Sequence, residues 1–335
     1  MLRKLVGWGA LILGVLALVT IYVTPWPSVL VIRAIFDKGA ETASTALADK
    51  VPADIKVEEG LSYDQADKDA LFDIYRPAKS TSAGPTIVWV HGGGFVSGRR
   101  SDVANYLKIL AGRGFTVINI DYTIAPEASY PTPIVQANKA LAYLAANAGK
   151  LGIDANRFVL AGDSAGAQIA AQTATVSTNP AYAAKVGIRP GVKPNQLAGA
   201  LLYCGVYDVT QMGQGGGILG WFVTATSWAY SGERDWRDRK GFEHMSVAPN
   251  VTSAFPPAFI SAGNADPLAP QSKAMASALK GQGVAVVEIF YPADYQPPLG
   301  HEYQFDLNLE AGRTVLDRSV EWLDSLRASA GPSAA

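Results

Sequence analysis

The sequence contains few of the residues that build disulfides, metal sites or nucleic-acid interfaces. Its 335 residues include one cysteine, Cys204, and three histidines, and the formal net charge is −1. A single cysteine excludes an internal disulfide and a metal site built from several cysteines. Because no excess of Lys and Arg is available to neutralise phosphates, nucleic acid is not expected as the main partner.

The sequence also has no internal repeat and no coiled-coil heptad pattern, whereas 49% of its residues are hydrophobic. This content allows a sizeable core and excludes global disorder. The length suits one large α/β domain with an insertion, or two smaller domains.

Strand-like and helix-like stretches alternate over residues 57–330, which predicts a mostly parallel sheet covered on both faces by helices. The first stretch, 57–75, is predicted to form an antiparallel hairpin at the edge of this sheet. Further strands are predicted at 86–90, 115–122, 158–162, 197–204, 259–263 and 284–291, and helices at 102–112, 133–148, 272–280 and 313–328.

Residues 1–27 differ from the rest of the chain. A basic pair at 3–4 precedes the uncharged run 5–23, and Pro25 and Pro27 follow it. At about 1.5 Å per residue, this run nearly crosses a hydrocarbon core of about 30 Å. We therefore predict an uncleaved transmembrane helix with the remaining chain outside the cytoplasm, because basic flanks stay cytoplasmic. A cleaved signal peptide, which would release a secreted or periplasmic protein, is the alternative.

Two further segments stand apart from the α/β alternation. Residues 28–56 are predicted to form one or two short helices over the active site or on a membrane, although a plain linker fits as well. Residues 206–256 are predicted to form an inserted cap, with a helix pair packed on the sheet as the alternative. The insertion is rich in aromatic side chains, namely Trp221, Phe222, Trp228, Tyr230, Trp236 and Phe242.

The stretch 158–166, FVLAGDSAG, has the pattern of a nucleophile elbow. An apolar strand leads to Ser164, which lies between Gly162 and Gly166, and an alanine-rich helical pattern follows. The turn is strained, and small residues on both sides let the strand and the helix approach each other. Ser164 would then lie at a helix N-terminus, where free N–H groups stabilise developing negative charge.

A glycine-rich loop, HGGG at 91–94, is predicted to follow the strand 86–90. Without side chains, Gly93 and Gly94 can turn their amides toward a carbonyl oxygen, and Ala165 supplies a third amide. A phosphate-binding loop or a flexible loop has similar glycine content. The absence of the Lys and Ser/Thr of a P-loop argues against phosphate binding.

A serine nucleophile needs a histidine base, and three are available. His91 lies in the glycine-rich loop and His244 in the predicted cap, whereas His301 follows the last predicted strand. His301 is therefore the expected base, because this chain order, with the histidine last, is the one that such hydrolases use.

The acid that orients the base should lie between Ser164 and His301, on a loop after a strand. Asp266, in the stretch GNADPL after the strand 259–263, is the first candidate. Asp208 and Asp294 remain as alternatives.

Five motifs together resemble those of the hormone-sensitive lipase family of α/β hydrolases, over about residues 57–327. They are HGGGFVSG at 91–98, DYTIAPE at 121–127, GDSAG at 162–166, GNADPL at 263–268 and GHEYQF at 300–305. The resemblance implies an α/β-hydrolase fold, with 28–56 and 206–256 as the cap. It also implies a triad of Ser164, Asp266 and His301, an oxyanion hole from Gly93, Gly94 and Ala165, and neither cofactor nor metal.

The chain departs from the family pattern at two places. Thr123 and Ile124 replace the usual Arg-Leu, which affects a structural salt bridge. Glu302 follows His301 where many members have glycine, and it adds a carboxylate beside the base.

The sequence thus predicts a membrane-tethered serine carboxylesterase acting on short- to medium-chain acyl esters. An amidase, deacetylase or acyltransferase would share the first half-reaction, and a non-catalytic binding protein of the same fold is the other alternative. The residues expected to contact the substrate are Phe95, Trp221, Phe222 and Trp228.

Overall fold

The structure, a computed structural model, describes residues 2–78, 84–213 and 215–328. Of the predicted segments, Met1, 79–83, Gln214 and 329–330 therefore lie outside the described residues. Within these ranges a single mixed sheet has the strand order β1-β2-β4-β3-β5-β6-β7-β8. The strands are β1 (Ile55–Ser62), β2 (Leu71–Pro77), β3 (Thr86–Val90), β4 (Thr116–Ile120), β5 (Phe158–Asp163), β6 (Leu197–Tyr203), β7 (Ala258–Ala262) and β8 (Val286–Phe290).

The sheet is antiparallel at one edge and parallel elsewhere. Strands β1 and β2 form the predicted hairpin, and β2 also pairs antiparallel with β4. All other neighbouring strands run parallel. Strands β3 and β5 are buried along their whole length, as expected for strands of a parallel sheet covered on both faces. The predicted α/β-hydrolase architecture is confirmed.

Helices cover both faces of the sheet. Alternate residues of β3 show this, because Val88 and Val90 belong to the hydrophobic core beneath α4, α6 and α9, whereas Ile87 and Trp89 belong to the core beneath α3 and α10. The helices are α1 (Leu2–Val23), α2 (Trp26–Leu47), α3 (Arg100–Gly112), α4 (Thr132–Ala146), α5 (Ala148–Leu151), α6 (Ser164–Thr178), α7 (Pro180–Val186), α8 (Gly217–Ser231), α9 (Ala269–Gly281) and α10 (Glu310–Ala328).

The N-terminal helices differ from the prediction. Helix α1 ends at Val23, and α2 begins at Trp26 with Pro27 in its first turn. The segment 28–56 was expected to contain short helices, but α2 continues unbroken to Leu47. The interior Gly39 costs about 1 kcal/mol in helix propensity, and packing against α3 and α8 outweighs this cost.

The predicted transmembrane anchor is not supported by the structure. Among the described residues, no helix combines the length and the apolar character that a membrane span requires. The side chains of 2–6, 10 and 17–21 within α1 lie outside the description.

The insertion 206–256 divides into two parts. Its helix α8 lies beside α2, where the rings of Phe36 and Phe222 are 5.6 Å apart. Tyr230, near the end of α8, is buried in the core together with Trp236 and Phe242 of the segment that follows. The insertion therefore contributes to the core as well as to the surface that faces α2.

Candidate active site

Ser164 lies at the junction of β5 and α6, in a left-handed conformation with φ 51°. A Cβ atom on Gly162 would lie 2.6 Å from the carbonyl oxygen of Val90, and one on Gly166 would lie closer still. The backbone of β3 therefore leaves no room for a side chain at either position. This close approach explains why glycine stands two residues before and two residues after the serine.

The structure brings Ser164, His301 and Asp266 together. The Oγ atom of Ser164 is 2.9 Å from Nε2 of His301. The Nδ1 atom of His301 is 3.0 and 3.1 Å from the two carboxylate oxygens of Asp266. Asp266 is buried and also accepts a hydrogen bond of 2.7 Å from the amide of Leu268. This is the geometry in which a carboxylate orients an imidazole toward a serine hydroxyl.

The loops that carry the acid and the base are joined to each other. Ala265 donates a backbone hydrogen bond of 2.9 Å to the carbonyl of Leu299, and Leu299 donates one of 2.8 Å to the side chain of Asn264. A Cβ atom on Gly263 would collide with the backbone of Leu299. Contacts between the loops after β7 and β8 thus hold Asp266 beside His301.

The alternative acids occupy other positions. Asp208 caps the short turn Val209–Gln211 and accepts hydrogen bonds from Thr210, Gln211 and Ser246. Asp294 is exposed on a surface loop.

The two other histidines have partners other than Ser164. His91 is buried, with Nδ1 2.8 Å from the carbonyl of Gly92 and its ring stacked on Tyr122. His244 lies 3.7 Å from Glu243. Burial lowers the pKa of His91, so this ring is neutral near pH 7.

The surroundings of His301 favour its protonated form. Burial opposes protonation, but Cys204, the hydrogen bond to Asp266 and the charge of Glu302 together hold the pKa of His301 well above its usual value. Burial also raises the pKa of the Cys204 thiol to about 11, so this thiol is neutral near pH 7. The carboxylates are therefore the groups that stabilise the imidazolium.

Cys204, Asp266 and His301 place one sulfur, oxygen and nitrogen atom within 4.8 Å of one another, a spacing that could suit a metal ion. The high pKa of the thiol disfavours the thiolate that a metal would bind. Asp266 and His301 are already bonded to each other and to Ser164. This donor set therefore fits the triad better than it fits a metal.

The glycine-rich loop lies next to the serine in a conformation that depends on glycine. Gly93 and Gly94 have φ values of 110° and 60°, and the carbonyl of Gly93 accepts hydrogen bonds from Val96 and Ser97. Ala165 lies in the first turn of α6, where backbone amides have no acceptor within the helix. These positions are compatible with three amides facing one oxygen atom.

Asp163 ties this loop to the nucleophile turn. Its carboxylate accepts hydrogen bonds from the indole of Trp89 at 2.8 Å and from the amide of Gly92 at 2.9 Å. The residue before the nucleophile thereby holds the first glycine of the loop in place. Apart from the motif itself, nothing in the sequence indicated this contact.

A cavity of about 1130 Å³ opens at Ser164. Of the residues predicted to contact the substrate, Phe95, Trp221 and Phe222 line it. Trp228 does not: it lies two turns further along α8, where its ring contacts Arg234. The segment 28–56, for which helices over the active site or on a membrane were expected, contributes α2 to the cavity, although none of its lining residues was named from the sequence. These residues are Ile32, Ile35, Phe36, Gly39, Ala40 and Ala43.

The fold and this site together define a serine hydrolase of the α/β-hydrolase class. The family model BD-FAE matches residues 72–279, and the chain belongs to that family, among the carboxylic-ester hydrolases related to hormone-sensitive lipase.

Relatives of known name support this placement. The chain is 28% identical to Esterase LipQ of Mycobacterium tuberculosis over 235 residues, which is 68% of this chain and 53% of LipQ. It is 27% identical to an acetyl esterase of Salmonella choleraesuis over 232 residues, which is 67% of this chain and 68% of that protein. The match thus spans about half the length of LipQ.

Solved structures share the fold. Esterase B from Lactobacillus rhamnosis superposes with a TM-score of 0.76 at 24% identity, covering 91% of this chain and 98% of that one. An esterase from Pyrobaculum calidifontis superposes with a TM-score of 0.72 at 24% identity, covering 89% and 93%.

Proposed function

We propose that this protein is a serine carboxylesterase in which Ser164 is the nucleophile, His301 the base and Asp266 the residue that orients the base. The observation that carries this proposal is the unbroken chain of hydrogen bonds from Asp266 through His301 to Ser164. That chain ends at a cavity beside the loop of Gly93 and Gly94.

In the first half-reaction, Oγ of Ser164 attacks the ester carbonyl and its proton passes to Nε2 of His301. The carbonyl oxygen becomes an oxyanion, to which the amides of Gly93, Gly94 and Ala165 donate hydrogen bonds. The intermediate then expels the alcohol oxygen, which takes the proton from Nε2. An acyl-serine ester remains, and the alcohol leaves the cavity.

In the second half-reaction, water gives a proton to Nε2 of His301 as its oxygen attacks the acyl carbonyl. The same three amides stabilise the second oxyanion. Collapse returns the proton to Oγ of Ser164 and releases the carboxylic acid. Asp266 keeps the imidazole in one tautomer throughout and stabilises its protonated form.

We also propose a preference for acyl chains of about two to eight carbons on a hydrophobic alcohol, because both parts of the ester must share one enclosed space. Each buried methylene contributes about 0.8 kcal/mol until the space near Ser164 is full. Aromatic side chains of the cavity wall, Phe95 and Phe222 among them, limit this space.

The test is covalent labelling with a fluorophosphonate, combined with turnover of p-nitrophenyl esters of graded acyl length. Wild-type protein should be labelled at Ser164 and hydrolyse the short esters, whereas Ser164→Ala should not be labelled and should lose nearly all turnover. A residual rate of roughly 10³–10⁴-fold over water is expected from the amides and binding alone. An optimum at long chains would contradict the chain-length proposal. Faster turnover of matched amides, or no labelling of Ser164, would contradict the esterase assignment.

The cellular location is a proposal from the sequence alone. The basic pair at 3–4 before the uncharged run 5–23 supports a catalytic domain outside the cytoplasm, either attached through residues 1–27 or released after cleavage. External protease should then digest the domain on intact cells or spheroplasts. Full protection, with cytoplasmic activity of a C-terminal reporter, would contradict the proposal.

A further inference from the structure

Glu302 is the residue next to the base, and its carboxylate faces the reacting atoms. Its Oε1 atom lies 3.8 Å from Nε2 of His301, the nitrogen that also contacts Ser164. The side chain is 36% exposed and lines the cavity. The backbone of Glu302 is left-handed, with φ 59°, where a residue other than glycine is strained. Strain of this kind is most often retained where a side chain has a task.

The cavity around Glu302 is acidic apart from two histidines, and one of these, the base His301, lies 3.8 Å from Glu302. Asp102, Asp163 and Glu302 line it, and no Lys or Arg does so among its described lining residues. His91, which also borders it, is neutral because burial lowers its pKa. Burial and the charge of Glu302 raise the pKa of Asp163 well above its usual range. Asp163 therefore favours its neutral form near pH 7, and the charge of Glu302 is the one that a cation in the cavity would contact.

The rest of the wall also suits a cation. Trp221, Phe222 and Phe305 line the same cavity, and the faces of aromatic rings attract positive charge, most strongly where water is excluded. An anionic group placed beside Glu302 would be repelled by its carboxylate. The carboxylate and the aromatic rings together would therefore favour a cationic substrate and disfavour an anionic one.

We infer that Glu302 selects esters whose alcohol carries a positively charged amine about two carbons from the ester oxygen. This inference rests on the proposed function. In that mechanism Nε2 of His301 gives its proton to the leaving oxygen, so this oxygen lies within hydrogen-bond distance of Nε2. Glu302 is 3.8 Å from the same nitrogen. A two-carbon link therefore places an ammonium group against the carboxylate while the ester remains in line with Ser164.

The experiment compares two esters of the same shape, butyrylcholine and 3,3-dimethylbutyl butyrate, which differ only by a charged nitrogen in place of a carbon. The wild-type protein should have a kcat/KM about tenfold higher for the charged ester, a typical size for a cation held by one carboxylate and aromatic faces. The variant Glu302→Gln keeps the size of the side chain and should bring this ratio close to one. The readout is the ratio of kcat/KM for the two esters within each variant, so a change in the titration of His301 that the substitution also causes affects both esters alike and cancels.

The matched control is Asp294→Asn, which removes one negative charge from an exposed loop outside the cavity and should keep the wild-type ratio. A wild-type ratio near one would overturn the inference, as would a ratio that survives in Glu302→Gln. If neither ester is turned over and Ser164 is not labelled, the esterase assignment fails. If the neutral ester is hydrolysed without a preference for the charged one, only the selectivity inference fails.

Discussion

Arg33 of α2 and Glu127 of the DYTIAPE stretch form a two-pronged ion pair, with N–O distances of 2.6 and 2.9 Å. The same guanidinium donates to the carbonyl of Val96 at 2.6 Å and to that of Ala125 at 3.0 Å. One side chain thus fastens the helix that walls the cavity to the loop that follows HGGG. Thr123, which stands where the family motif usually has arginine, takes no part in this ion pair. Its hydroxyl donates a hydrogen bond of 2.9 Å to the carboxylate of Asp69.

Replacing Arg33 with Ala should loosen α2. We expect a loss of about 1–2 kcal/mol in the free energy of unfolding, because two buried carbonyls lose their donor whereas the half-exposed Glu127 is partly screened by solvent. KM for esters should rise more than kcat falls, because the cavity wall moves and the triad does not. Thermal denaturation and steady-state kinetics check both effects.

The control variant is Arg113→Ala, which breaks an exposed ion pair with Asp317. It should lower the free energy of unfolding by about 0.5 kcal/mol or less. An equal loss of stability in both variants would refute the role of Arg33.

Asp266→Asn should reduce kcat by several orders of magnitude, roughly 10⁴-fold in a comparable triad, because an amide favours the wrong tautomer of the histidine. Asp208→Asn and Asp294→Asn are the matched controls and should keep kcat within about threefold, since neither residue contacts His301. Single-turnover kinetics with p-nitrophenyl butyrate distinguish the three variants. A larger loss in Asp208→Asn would assign the acid to the loop after β6.

The pH dependence of kcat/KM should report the raised pKa of His301. The base must be neutral to accept the proton of Ser164, so activity should rise with pH through a midpoint above the usual value of about 6.5. The contribution of His301 to the free energy of unfolding changes with pH in the opposite direction to activity. Because its pKa is raised in the folded protein, protonation of His301 stabilises the fold below about pH 6.5. This contribution disappears as the pH rises through the pKa of His301 in the folded state.

Removing the charge of Glu302 should move that midpoint to lower pH, because Glu302 is one of the groups that favour the imidazolium. The pH dependence of kcat/KM is compared between the wild type and Glu302→Gln with p-nitrophenyl butyrate. Because this substrate is neutral, Glu302 cannot act on it through charge, and the shift reports on His301 alone. A wild-type midpoint at or below 6.5, or a shift to higher pH in the variant, would contradict this account of the electrostatics.

Gly166→Ala should be strongly destabilising, since a Cβ atom would collide with the backbone of Val90 and His91. Relief requires α6 to move away from β3, which costs about 2–4 kcal/mol or prevents folding. Gly149→Ala is the control, because nothing lies within 4 Å of a Cβ atom there. Chemical denaturation measures both, and comparable stability of the two variants would show that the turn tolerates a side chain.

Features that depend on neighbouring residues could be predicted from the sequence. Strand β3 was predicted with its observed bounds, because an apolar run bounded by glycine has few alternatives. The nucleophile turn around Ser164 was likewise predictable, since its two glycines satisfy a steric requirement within five residues. The order of Ser164, Asp266 and His301 followed from the strands that precede them.

Other features were decided by packing between segments far apart in the chain. The wall that α2 contributes to the cavity depends on Arg33 and its partners more than 60 residues away. Trp221 lines the cavity and Trp228 does not, although both lie on α8 in similar sequence surroundings. The contact of His301 with Ser164, 137 residues away in the chain, follows from where the loop after β8 folds back. Composition and periodicity specify which residues form an element and which face it buries; the distances between side chains from different elements arise only when those elements pack, because each contact depends on all the others.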